Sequence, residues 1–117
     1  MNISLFDSEI KLMELVWAME PISAKKLSLA AAEQIGWNKN TTYTVIKKLE
    51  AKGYLHRSEP GYICTARITR EQVQKAETKN LVTRLFGGSK KALFSALLDE
   101  DLTGEELDAL RCLINRR

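Results

Sequence analysis

Six side chains between residues 40 and 48 combine the donors, acceptors and positive charge that a nucleic acid demands: Asn40, Thr41, Tyr43, Thr44, Lys47 and Lys48. They lie away from Val45, Ile46 and Leu49, whose spacing marks the buried stripe of a helix. Asn pairs bidentately with adenine, Thr offers a hydroxyl or a methyl group, and Lys meets guanine or phosphate, so this face suits a DNA major groove. The same residues could form a plain solvated face. Such a face usually carries Glu–Lys pairs, and only Glu50 is acidic here.

Two further groups point the same way. Ser23, Lys25 and Lys26 open a predicted helix whose free backbone N–H groups and lysines can hold phosphate without reading sequence. Arg57 and Ser58 fall on a predicted hairpin, where an arginine can reach phosphate or the minor groove. Over 117 residues the net charge is +3, and its distribution is uneven. Residues 36–70 hold seven Lys/Arg against two acids, residues 1–35 three against five, and residues 71–117 eight against eight. A concentrated basic segment inside a folded chain is the footprint of a polyanion partner.

Catalysis finds no comparable support. His56 is the single histidine, in a short predicted strand, and no nucleophile–base pair is visible. Cys64 and Cys112 are far apart and lack ligand spacing, so neither a metal nor a cofactor is expected. Gly87-Gly88-Ser89-Lys90 follows a helix and lacks the first glycine of a phosphate loop; it reads as a hinge. The chain is expected not to be an enzyme. A 44% hydrophobic content supports a real core. No run of ~18 apolar residues calls for membrane insertion, and the first residues lack a secretory signal. A cytoplasmic location with both thiols reduced is expected.

The positioning elements follow from caps and periodicity. A helix is predicted from Asp7, as N-cap, to Met19, with Ile10, Met13 and Trp17 at helical spacing. Pro21 ends it, and a short extended link leads to Ser23, the cap of a helix over 24–34 that stops at Gly36. Asn38 caps the helix over 39–52, which stops at Gly53. Residues 54–57 and 62–65 form a hairpin around Glu59-Pro60-Gly61. Thr69 and Gln72 make a capping box for a helix reaching Phe86; Ser89 starts another to Leu98; Thr103 and Glu106 box the last. Trp17 and Trp37 are read as core rather than recognition residues.

This order predicts a mostly α fold with a small β-hairpin wing: a winged helix-turn-helix over 1–68 and a C-terminal helical dimerisation region over 69–117. Leu81, Leu85, Phe86, Leu93, Phe94, Leu97, Leu107, Leu110 and Ile114 are too many large apolar groups for three short helices to hide among themselves. A symmetric homodimer would cover them. The function these features imply is sequence-specific binding of double-stranded DNA. The alternative is a winged helix that serves as a protein-interaction module in a larger complex.

Several segments carry a resemblance. Met13-Glu14-Leu15-Val16-Trp17, Trp37-Asn38-Lys39-Asn40-Thr41 with Thr44, Lys48-Leu49 and Lys52-Gly53-Tyr54-Leu55 are followed by Leu85-Phe86-Gly87-Gly88-Ser89, Asp101-Leu102-Thr103, Glu105-Glu106-Leu107 and Leu110-Arg111. Together, and in order over nearly the whole chain, they resemble the penicillinase-repressor family. The resemblance implies a homodimeric repressor on operators of dyad symmetry ahead of antibiotic-resistance genes, with DNA contacts on Asn40, Thr41, Tyr43, Thr44 and Lys48. It also brings in a membrane sensor protease, or its downstream signal, as a partner. Two departures stand out. The cysteine cluster of copper-responsive members is missing, since Cys112 stands alone in the tail. The Asn–Phe bond cut in β-lactam-responsive members is also missing, since residues 93–98 read Leu-Phe-Ser-Ala-Leu-Leu.

Overall fold

A computed structural model describes residues 2–116. The elements are α1 (Asp7–Met19), β1 (Ile22–Ser23), α2 (Ala24–Gln34), α3 (Lys39–Ala51), β2 (Leu55–Ser58), β3 (Ile63–Ala66), α4 (Arg70–Phe86), α5 (Lys90–Leu98) and α6 (Gly104–Asn115). β3 is the central strand of an antiparallel sheet of order β1-β3-β2, with Ile22 opposite Cys64 and Arg57 also opposite Cys64 from the other side. This is a winged helix-turn-helix followed by further helices.

Most helix starts follow local side-chain chemistry. Ser23, Asn38, Ser89 and Thr103 each accept a backbone N–H from the first turn they cap. The Thr69–Gln72 box is closed in both directions, at 2.8 and 3.0 Å. The first helix departs from expectation. Phe6, not Asp7, is the N-cap, and Asp7 takes the first helical position. The reason is Glu9, whose carboxylate folds back onto the Phe6 N–H at 2.8 Å. Its other contact is Lys52 Nζ at 2.7 Å, and the side chain is fully buried.

Both hairpin strands begin one residue later than the alternation indicated. Gly53, at φ 81°, ends α3 in a Schellman turn: its N–H reaches the Glu50 carbonyl and the Tyr54 N–H reaches Leu49. Tyr54 is thus part of the helix stop. On the other side of the turn Tyr62 has φ 51°, which is not extended, so β3 starts at Ile63.

The chain separates into two compact units between Glu77 and Thr78, within α4. The first is built around Leu12, Met13, Val16, Leu27, Ala31, Ile46, Leu49, Leu55 and Cys64, all at most 2% exposed. Val73 of α4 is buried in the same cluster, and Trp17 and Trp37 pack half-buried against it. The Trp17 indole N–H donates to the Ile68 carbonyl at 2.9 Å, which ties α1 to the segment entering α4. In the second unit, α5 and α6 contain no fully buried side chain.

Candidate nucleic-acid interface

The two faces of α3 divide as a groove-reading helix requires. Thr42, Val45, Ile46 and Leu49 are buried, which fixes the helix on the body of the first unit. Asn40, Thr41, Thr44, Lys47 and Lys48 are exposed, and Tyr43 is half-buried at the edge. Two threonines with the same chemistry thus have different tasks. The Thr42 hydroxyl donates to the Asn38 carbonyl at 3.3 Å inside the fold. The Thr44 hydroxyl donates to the Asn40 carbonyl at 2.8 Å on the exposed face. With its proton engaged, Thr44 offers outward a methyl group and acceptor lone pairs, which suit a thymine methyl or an exocyclic amine rather than a guanine acceptor edge.

The start of α2 is less open to anions than its sequence implies. The Ala24 N–H donates to the Tyr62 carbonyl at 2.9 Å, and the Lys26 N–H to Ser23 Oγ at 3.2 Å. Ser23 therefore acts as a cap, half-buried. With those two amides engaged, the charged groups that this end offers a phosphate are the exposed side chains of Lys25 and Lys26.

Arg57 is not brought into the exposed cationic set. Its guanidinium pairs with Glu50 at 2.8 Å and lies 5.4 Å from the centre of the Tyr62 ring. The hydrogen bond to Glu50 raises its pKa above the ordinary arginine value, so the charge is fixed and paired. This contact braces the wing against the C-terminal part of α3. The group that the wing presents instead is Tyr62, 55% exposed, which the alternation predicts as the first residue of the second hairpin strand. The signal was Gly61 just before it, a residue suited to a turn with positive φ.

The remaining chemistry-bearing residues stay apart. His56 is exposed on β2. Cys64 sits in the core, where burial pushes its thiol up to about 11, and Cys112 is exposed and unpaired. Among the described residues no group of three His, Cys, Asp or Glu side chains could hold a metal ion, and no helix is long and apolar enough to cross a membrane.

The residues expected at a self-contact are uncovered to varying degrees. Leu85, Phe94, Leu97 and Ile114 are exposed, between 40% and 63%, together with Leu98 and Leu113. Leu81, Phe86, Leu93, Leu107 and Leu110 are half-buried.

Known proteins are similar to this chain over most of its length. The profile of the penicillinase repressor family matches residues 5–116. The methicillin resistance regulatory protein MecI of Staphylococcus aureus is 23% identical over 113 residues, covering 94% of this chain and 92% of that protein. The penicillinase repressor of Staphylococcus aureus is 24% identical over 111 residues, covering 92% and 88%. An uncharacterized 16.5 kDa protein of Latilactobacillus sakei is 26% identical over 95 residues, covering 80% and 65%. With a winged helix whose third helix turns a polar face outward, and a family match over nearly its whole length, the chain belongs to the penicillinase repressor family of DNA-binding transcriptional repressors.

Proposed function

We propose that the protein acts as a homodimer that occupies a dyad-symmetric operator and blocks the polymerase sterically. Residues 1–68 bind DNA and residues 69–117 provide self-association. In this reading Asn40, Thr41, Tyr43 and Thr44 meet base edges, and Lys25, Lys47 and Lys48 meet phosphates. Arg57 contributes by holding the wing. The observation that carries the reading is the division of α3 into a buried apolar stripe and an exposed polar, cationic face. The uncovered leucines and phenylalanine of the second unit support the dimer, because a symmetric contact pairs the same patch with itself.

The dimer works in the cytoplasm, where its DNA target lies. The genes under its control are proposed, by analogy with the relatives, to concern antibiotic resistance. Induction through a sensor protease would need a cut elsewhere than at an Asn–Phe bond in α5, which has none.

The test is fluorescence anisotropy with duplexes of different sequence at several salt concentrations. Sequence discrimination, with log affinity falling linearly in log salt, is expected of a groove reader with phosphate contacts. Absence of any duplex binding at low salt would favour a protein-interaction module instead.

A further inference from the structure

Along one side of α2, Lys25, Leu29 and Ala32 face Trp37, Lys39 and Tyr43, and the residues lining this side bound an open cleft of about 330 Å³. Positions 25, 29 and 32 share one helix face. That face is distinct from the stripe of Leu27 and Ala31 that α2 buries in the core. Leu29 is 62% exposed, an apolar investment that the core does not explain.

The cleft joins two kinds of chemistry. Its apolar and aromatic lining comes from Leu29, Ala32, Trp37 and Tyr43, with Ser28 and Asn38 as neutral polar members. Lys25 and Lys39 also line it, and no acid does. Among the described residues no carboxylate pairs with Lys25 or Lys39. Lys39 lies instead 5.8 Å from the centre of the Tyr43 ring. The volume falls within the small-molecule range, where an apolar pocket with a few polar groups fixes a ligand. A DNA backbone could engage the lysines but offers the apolar lining only deoxyribose carbons, whereas a flat ring can stack on it.

We infer that this cleft is a binding site for a small aromatic monoanion, with the ring against Trp37, Leu29 and Ala32 and the anionic group between Lys25 and Lys39. Lys25 and Tyr43 also belong to the DNA face assigned above. Resting on that reading, occupancy of the cleft competes with operator DNA and provides a release signal that needs no proteolysis.

The test uses the full chain, with naphthoate as probe and naphthylmethanol as its uncharged counterpart. Trp37 lines the cleft and Trp17 does not, so their two indole N–H resonances separate local from general binding. Naphthoate should saturate with a Kd of about a millimolar or tighter, the range that ~13 non-hydrogen atoms reach. It should shift Trp37 but not Trp17, and bind about tenfold more tightly than the alcohol. Ala32→Phe fills the cleft and should abolish the Trp37 shift; Leu29→Glu, at an exposed position, should do so by charge repulsion if the first variant fails to fold. Naphthoate should also displace the wild type from its selected duplex. Absence of saturation, equal affinity for the alcohol, or a Trp37 shift surviving the substitutions would overturn the site. Saturable binding without loss of duplex affinity would overturn the competition. Binding as described by a protein that retains no duplex of any sequence would sustain the site and overturn the DNA reading instead.

Discussion

Replacing Lys52 by Met strips a buried carboxylate of its counter-ion. The Glu9 side chain is fully buried and has two partners, the Phe6 N–H at 2.8 Å and Lys52 Nζ at 2.7 Å. Its second oxygen is buried with no partner, so little else can compensate the charge. Lys52 is one-third exposed, at 32%, and covers Phe6 with its ammonium 4.7 Å from the ring centre. Breaking a buried ion pair by removing one partner costs about 3–5 kcal/mol. Because water reaches the lysine end, the expected loss for Lys52→Met is lower, about 2–4 kcal/mol. Glu9→Gln keeps an acceptor for the Phe6 N–H and removes the charge, so about 1–2 kcal/mol is expected. The double substitution Glu9→Met with Lys52→Met should cost less than Lys52→Met alone, since no uncompensated charge is left. Urea unfolding followed by tryptophan emission reports on this unit, because both Trp17 and Trp37 pack against its core. A double variant that loses as much stability as Lys52→Met alone, or more, would refute the reasoning, as would a Lys52→Met loss below about 0.5 kcal/mol.

Further expectations concern the interface, the self-contact and the thiols. Thr44→Ala should reduce discrimination between bases by about 1–3 kcal/mol, whereas Thr44→Val, which keeps the methyl group, should lose less in the same anisotropy assay. Lys48→Ala should weaken binding to all sequences alike and reduce the salt slope by about 1. Leu97→Asp should give a monomer with an ordered first unit and much weaker operator binding, as read by sedimentation and circular dichroism; unchanged dimer would remove α5 from the contact. Iodoacetamide at neutral pH should label the exposed Cys112 and spare Cys64 until unfolding. Because the Cys64 thiol is raised in the fold from 9.0 to about 11, the folded state holds this proton more tightly than the unfolded one. Its contribution is therefore complete below about pH 9 and lost as the pH rises to about 11, relative to a Cys64→Ala control.

What could be read from the sequence was mainly what neighbouring residues decide. Ser23, Asn38, Ser89 and Thr103 cap helices through contacts three residues away, so their roles follow from local spacing. The exposed face of α3 follows from periodicity, because Val45, Ile46 and Leu49 fix which side is inward. Distant pairings were hidden. Glu9 looks like an ordinary first-turn acid, and only the arrival of Lys52 from the end of α3 makes its burial tolerable. Arg57 looks like a free wing cation until the turn at Gly53 brings β2 back towards Glu50. The aromatic exposed on the wing, Tyr62, was assigned to a strand because its left-handed backbone is not written in alternation. The capping role of Ser23 is local and legible, whereas the engagement of the Ala24 N–H by the Tyr62 carbonyl, across the β1–β3 edge, is a distant contact.

The most direct test of a dimer reading DNA through paired α3 helices is selection of duplexes from a random pool at stated salt, followed by sedimentation of the complex with the enriched sequence. The expected outcome is an inverted repeat with half-site centres about 10–11 base pairs, or a multiple, apart, bound by two protomers. An asymmetric motif bound by a single protomer, or no enriched sequence, would contradict it.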